Sequence, residues 1–236
     1  MSGFAFKQFK IQQSNTAMKV STDGIMLGAW INLSNAKYLL DIGCGTGLLS
    51  LMCKQRQPQL HVDAVEIDSG AVKDAQSNIK HSPWPDIRLH HGDIQSFKNQ
   101  HVFDVVICNP PYFNNSLKGP SHARNTARHT DSLTFEELIE TFLKVSHDLS
   151  RLAIILPCKE AEQFQSMAYS SGLSLQRHCQ VSSSKEKGPT RSMMEFQRIQ
   201  RIQPQASLVE SLCIYQPGQI YTEDFIKLCQ DFYLKM

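Results

Sequence analysis

Lys37-Tyr-Leu-Leu-Asp-Ile-Gly-Cys-Gly-Thr-Gly47 is a short apolar run that ends in an acidic residue, Asp41, and then in three glycines separated by single residues. Directly after it, Leu48–Arg56 carries Leu48, Leu49, Leu51 and Met52 at helical spacing. The stretch therefore reads as a strand, a tight turn and a helix. Glycines at such a turn relieve the backbone of side-chain clashes and let a ligand approach the amide N–H groups at the helix start. The spacing is GxGxG, not the GxGxxG of dinucleotide binders. Asp41 would repel a pyrophosphate, whereas it suits a cationic group such as the amino end of an amino acid. The turn thus favours an aminoacyl ligand.

Outward from this turn the pattern repeats. His61–Ile67 reads as a second strand, and Ser69–His81 as a helix with Ala71, Val72, Ala75 and Ile79 on one face. Ile87–His91 is a third strand. Val102–Cys108 is a fourth, almost wholly apolar, as a strand covered on both faces must be. Thr134 and Glu137 form a capping-box signature for a helix through Leu149. Leu152–Leu156 is a fifth strand, and Glu160–Ser171 a helix stopped by Gly172. Strands at 173–182 and 192–202 flank Ser184–Arg191, which reads as a hairpin tip; a strand near Leu208–Tyr215 and a helix from Thr222 to about Leu234 close the chain. Alternating strands and helices predict an α/β fold, a mainly parallel sheet with helices on both faces and an antiparallel hairpin at its end.

At 236 residues the chain is expected to form a single domain, 1–236, with residues 1–36 as an extension ahead of the first strand. Lys and Arg number 24 against 22 Asp and Glu, so any nucleic-acid surface must come from local clustering and not from overall charge. The seven cysteines are scattered, with no CxxC pair, which fits reduced thiols in the cytoplasm better than disulfides or structural zinc. Met1–Gln13 lacks the apolar core of a signal peptide, and runs such as Leu152–Leu156 are too short to span a bilayer. A cytoplasmic protein with no membrane or metal partner is expected. His90 and His91 read as strand-end residues.

Three acidic positions follow one another at strand ends. After Asp41, Glu66 closes the second strand in Val65-Glu66-Ile67-Asp68, where a carboxylate can accept both hydroxyls of a ribose. Asp68 reads as a helix N-cap. Asp93, in Gly92-Asp93-Ile94, can accept from an adenine amino group while Ile67 and Ile94 sandwich the ring. With Gly43, Gly45 and Gly47 as the turn, their order and spacing imply S-adenosylmethionine.

The fourth strand runs into Asn109-Pro-Pro-Tyr112. Pro110 and Pro111 fix the backbone there, at the carboxyl end of an interior strand where open α/β sheets bind ligands. An amide oxygen beside an aromatic suits methylation of a planar amino group, whose lone pair is delocalised. With the Asn109 side chain and the Pro110 carbonyl each accepting one N–H, the lone pair can localise toward an incoming methyl. Tyr112 would stack on the flat substrate, a contact worth about 1–3 kcal/mol per base. Alignment supplies much of the rest, and no strong general base is needed.

Asp41–Gly47, Glu66, Asp93 and Asn109–Tyr112 together resemble the class I, amino-group-modifying S-adenosylmethionine methyltransferases, over about residues 37–157. That resemblance implies a Rossmann-like seven-stranded sheet with the last strand antiparallel. Phe9-Lys-Ile-Gln-Gln13, Met18-Lys-Val-Ser-Thr-Asp-Gly-Ile-Met-Leu-Gly-Ala-Trp30, Ala123-Arg-Asn-Thr-Ala-Arg-His129 and Gly188-Pro-Thr-Arg191 are similar to segments of the bacterial tRNA(Val) adenine-N6 methyltransferase family. The resemblance implies N6 of adenine 37 in tRNA, beside the anticodon, as target. It also implies an extension packed near the cofactor, with Thr22 and Asp23 at the cofactor's methionine end; Thr22-Asp23 reads equally as the N-cap of a helix through Trp30. RNA phosphates would meet Lys118, His122, Arg124, Arg128 and His129 in the long loop 113–131, and Lys185, Lys187 and Arg191 at the hairpin. No obligate protein partner is implied. A release-factor glutamine-N5, ribosomal RNA guanine-N2 or DNA adenine-N6 methyltransferase would present the same motif. A noncatalytic binding module on this fold is the alternative outside catalysis.

Overall fold

Successive residues of the central strands face opposite ways, and both faces are sealed. In β3 (Tyr38–Ile42), Leu39 belongs to one buried cluster and Leu40 to the other. In β6 (Phe103–Cys108), Val105 and Ile107 lie on the first side, Val106 and Cys108 on the second. This period-two split of an almost continuous apolar run is what places a strand between two helical layers. The computed structural model describes residues 3–111, 133–199 and 207–236.

The remaining strands are β1 (Gly3–Ala5), β2 (Lys10–Gln12), β4 (His61–Glu66), β5 (Arg88–His91), β7 (Ser146–Pro157), β8 (Leu173–Ser184), β9 (Arg191–Arg198), β10 (Leu208–Gln216) and β11 (Ile220–Tyr221). β1 and β2 form a small antiparallel pair. All others join one sheet in the order β11-β10-β8-β9-β7-β6-β3-β4-β5. β5, β4, β3, β6 and β7 are mutually parallel; β9 runs against both its neighbours, so β8 and β10 return to the common direction. The sheet is thus nine-stranded among the described residues, not seven-stranded. The difference is β10 and β11, which continue the sheet past β8; the antiparallel β9 lies between β7 and β8.

One face carries α1 (Thr22–Trp30), α2 (Leu48–Arg56) and α3 (Ser69–Lys80); the other carries α4 (Phe135–Val145) and α5 (Cys158–Ser170). A last helix, α6 (Glu223–Cys229), packs with the first layer through Phe225 and Cys229. α1 and α2 pack very closely: a Cβ at Gly28 would fall 2.8 Å from the Met52 sulfur, which glycine avoids.

β1, β2 and β11 go beyond the sequence expectation, and three helix boundaries differ from it most. The N-cap of α1 is Ser21, whose hydroxyl accepts from the Gly24 amide, and not Thr22 or Asp23. α4 ends at Val145 instead of Leu149: the chain enters β7 at Ser146, with a register shift opposite Phe103/Val105. The Ser150 hydroxyl donates to the Phe103 carbonyl across that bulge, and Leu149, 65% exposed, contributes nothing to the buried stripe. α6 stops at Cys229, short of Leu234. Residues 200–202, expected in the strand before β10, lie outside the described residues.

Candidate active site

Because β3, β4, β5 and β6 are parallel, the loops that follow them collect at one edge of the sheet, where such folds bind ligands. Gly43, Gly45 and Gly47 adopt φ of 66°, 56° and 80°, a region side chains resist. A Cβ at Gly43 or Gly45 would meet nothing within 4 Å. The backbone conformation, not crowding, demands glycine there, and the space over the turn is open.

Asp41 is fully buried, 0% exposed. Its Oδ2 accepts from the Ser50 amide (3.0 Å) and the Ser50 hydroxyl (2.7 Å), while Oδ1 has no hydrogen-bond partner. Burial pushes its carboxyl up to about 7, against the lowering effect of those bonds. Asp41 has no accessible surface, and every hydrogen bond it makes goes to Ser50. It braces the start of α2. The helix needs this, because its N-cap, Gly47, has no side chain to cap with.

Glu66 is placed differently. Its Oε2 accepts from the Gly45 amide and its Oε1 from the Asp68 amide, both at 2.8 Å. It thereby ties the second strand end to the glycine turn. A carboxylate has about four acceptor sites, so half remain for a ligand. Ile67 beside it is 49% exposed, whereas Ile94 is buried at 8%. Asp68 caps α3 through the Ala71 amide (2.7 Å). Asp93, exposed, accepts from the Gln95 amide (2.9 Å) and caps a single 3-10 turn, Ile94–Ser96. An open glycine turn, a carboxylate with spare lone pairs, an exposed isoleucine and an exposed aspartate on one edge fit an adenosyl group.

Asn109 and Pro111 bracket the buried Pro110 immediately beyond β6. A Cβ on Gly24 would lie 3.5 Å from Asn109 Nδ2 and 3.2 Å from a Leu48 methyl. The Asn109 amide therefore sits between the first turn of α1 and the start of α2, directly beside the glycine turn. Asp23 accepts from Arg191 Nε at 2.8 Å, joining α1 to the first residue of β9. Thr22 is exposed next to it. Lys185 and Lys187 are exposed on the turn between β8 and β9, at the same sheet edge because β8 shares the parallel direction. Tyr112, Lys118, His122, Arg124, Arg128 and His129 lie outside the described residues.

Sequence reasoning missed Ser21, Ser50 and the α3 pair Asp74 and Asn78. Asp74 takes three hydrogen bonds from Asn15 and Thr16, and Asn78 reaches both Gln12 and the carbonyl of Thr46 inside the glycine turn. A polar pair one turn apart on the face of a helix otherwise marked by Ala71, Ala75 and Ile79 was the available signal. Elsewhere, His90 pairs with Asp63 at 2.6 Å, and no metal-binding cluster occurs among the described residues.

Fold and edge define the class. The chain superposes on a predicted O-methyltransferase from Agrobacterium tumefaciens with a TM-score of 0.65 at 16% identity, covering 89% of this chain and 96% of that one. It also superposes on the glycopeptide N-methyltransferase MtfA complexed with S-adenosylmethionine, with a TM-score of 0.57 at 12% identity over 80% of this chain and all (100%) of that one. The fold is that of the class I S-adenosylmethionine-dependent methyltransferases, and S-adenosylmethionine is the cofactor. The methyltransferase small domain model matches residues 25–129. A relative from Pseudoalteromonas translucida named tRNA1(Val) (adenine(37)-N6)-methyltransferase is 56% identical over 237 residues, covering 100% of both chains. One of the same name from Vibrio vulnificus is 44% identical over 99% of this chain and 96% of its own. The chain belongs to the tRNA1(Val) (adenine(37)-N6)-methyltransferase family.

Proposed function

We propose that this protein transfers the methyl group of S-adenosylmethionine to the exocyclic N6 amine of adenine 37 in tRNA1(Val). The observation that carries the reading is 56% identity, end to end, to a relative named for that reaction. The site geometry supports it chemically, since the half-buried Asn109 amide stands beside the glycine turn at an open sheet edge.

When bound, S-adenosylmethionine supplies an electrophilic methyl group. The chain does the rest. Glu66 accepts the ribose hydroxyls with the lone pairs that Gly45 and Asp68 leave unused. Ile67 and Ile94 flank the adenine ring and Asp93 accepts from its amino group. Gly43, Gly45 and Gly47 leave room for the rest of the cofactor, and Asp41 holds the turn in place through Ser50 without touching the ligand. Asn109 Oδ1 and the Pro110 carbonyl accept the two N–H bonds of the target amine, turning its lone pair toward the methyl. In this reading Tyr112 stacks on the target base, and Pro111 fixes the backbone just before it. The proton leaves after transfer, to solvent.

Thr22 and Asp23 flank the methionine end, Asp23 through its pair with Arg191. Lys185 and Lys187 take tRNA phosphates at this edge, and Lys118, Arg124 and Arg128 of the 113–131 loop are the other phosphate contacts of this reading. A tRNA substrate puts the reaction in the cytoplasm, and no helix among the described residues is long and apolar enough to cross a membrane.

The test is methyl transfer from labelled S-adenosylmethionine to unmodified bulk tRNA, ribosomal RNA, duplex DNA and release factor, with nucleoside analysis. N6-methyladenosine confined to tRNA is the expected product. Label in release factor, in DNA or as methylguanosine overturns the substrate.

A further inference from the structure

Two side chains on α3 are buried, polar and unused by the chemistry above. Asp74 and Asn78 are each 3% exposed and one helical turn apart. Buried polar groups are costly unless they are bonded, and these two are fully engaged. Asp74 Oδ2 accepts from the amides of Asn15 (2.8 Å) and Thr16 (2.9 Å), and its Oδ1 accepts from the Asn15 side chain (2.8 Å). Burial works against ionising Asp74, yet these bonds hold its carboxyl below the usual range. Asn78 Oδ1 accepts from the Gln12 amide (2.7 Å), and its Nδ2 donates both to the Gln12 carbonyl (2.9 Å) and to the Thr46 carbonyl (3.0 Å).

Thr46 stands between Gly45 and Gly47, so one amide side chain joins the N-terminal segment to the middle of the glycine turn. The segment lies hard against the helix: a Cβ at Gly70 would fall 2.6 Å from the Asn15 carbonyl oxygen. Beyond Thr16, the Gln13 side chain accepts from the Val20 amide and Lys19 donates to the Thr16 carbonyl, closing a bend that delivers the chain to Ser21 and α1. α1 then presents Gly24 to Asn109. Residues 10–24 therefore run without interruption from beneath the glycine turn to the Asn109 amide.

We propose that residues 10–20 are a strap that sets the cofactor turn, and that Asn78 is the positioning residue through which it acts. Asn78 reaches no ligand itself. It fixes the Thr46 carbonyl, and with it the flanking Gly45 and Gly47 peptides, in the conformation that receives the cofactor. Binding and strap docking are then linked, and linkage is reciprocal: whatever the docked strap adds to cofactor affinity, cofactor adds to docking of the strap. The inference rests on S-adenosylmethionine as cofactor and is independent of which nucleic acid is methylated.

The experiment uses the full chain and S-adenosylmethionine itself. Titration calorimetry first establishes binding to wild type; its absence overturns the cofactor reading and the strap together. With binding established, Asn78→Ala should raise Kd by about fivefold or more, the effect of one lost internal hydrogen bond. In parallel, saturating cofactor should slow hydrogen exchange at the Gln12, Asn15 and Thr16 amides of wild type by more than at central-strand amides such as that of Val62, because general stabilisation by a ligand slows globally exchanging amides alike. A Kd ratio smaller than that in folded Asn78→Ala, or strap exchange slowed no more than exchange at Val62, overturns the strap and leaves the cofactor site standing. If Asn78→Ala does not fold, the wild-type exchange measurement decides alone.

Discussion

Two carboxylates end adjacent parallel strands on the cofactor edge, and their environments differ sharply. Asp41 on β3 is sealed completely, bonded only to Ser50, with one oxygen left without a partner. Glu66 on β4 is almost as buried, but both its oxygens are satisfied by backbone amides on the ligand side of the sheet. The cause is local. Ser50 is the third residue of α2, whose Gly47 N-cap is in the left-handed region and supplies no side-chain acceptor. Asp41 provides that acceptor from across the turn and sits against the positive end of the helix, which offsets part of its burial cost. Glu66 ends a strand that is buried from Val62 onward and accepts from the Gly45 amide instead. The same chemistry one strand apart braces a helix start in one case and ties down the glycine turn in the other, where the ribose contact is proposed.

The neighbouring strand end sets the scale for both. Asn109→Ala removes an acceptor proposed to work in the transition state, so single-turnover methyl transfer should fall by about 10²–10³-fold, comparable with deleting one oxyanion-hole donor. Cofactor Kd should change little. Full transfer by that variant would remove Asn109 from the mechanism. Glu66→Ala should come next, raising the Kd for S-adenosylmethionine by about 10–100-fold, the cost of a hydrogen-bonded charge at roughly 1.5–3 kcal/mol. Asp41→Asn keeps an acceptor for Ser50 and should shift Kd far less. If calorimetry finds the two carboxylate variants equally weak binders, the division drawn between them is wrong.

Much of this edge was legible in the residues alone. The central strands, the glycine turn and the Thr134–Glu137 capping box are local patterns, and each forms where the pattern lies. Nothing local separates Asp41 from Glu66, because their difference is made by Ser50 and Gly45, residues on other elements. The same holds for Asn78, whose partners Gln12 and Thr46 are remote in sequence. β10 was legible as a strand, but its parallel pairing with β8, which widens the sheet beyond seven strands, is a long-range choice that periodicity does not encode. Leu149 misled for the opposite reason: it continues the apolar spacing of α4, yet it sits on an exposed bulge of β7.

The finest test of the comparison is its pH dependence without cofactor. Asp41 titrates at about 7 in the folded chain and near 3.9 when unfolded. Between those values the folded state holds a proton that the unfolded state has released, so stability declines as pH rises. The contribution is fully present below about pH 4, is lost progressively up to about pH 7, and changes no further above it. Its slope is at most about 1.4 kcal/mol per pH unit. For a chain of this size that is at most about 3–6 °C in Tm per pH unit. Asp41→Asn, which cannot ionise, should therefore melt with a flatter profile than wild type from pH 4 to 7. Glu66→Gln should leave most of that slope in place, because burial is the largest cause of the Asp41 shift, and should move its upper end to lower pH as the Glu66 charge is lost. Parallel Tm profiles for wild type and Asp41→Asn would show that Asp41 is ionised in the folded protein throughout, with its free oxygen solvated after all.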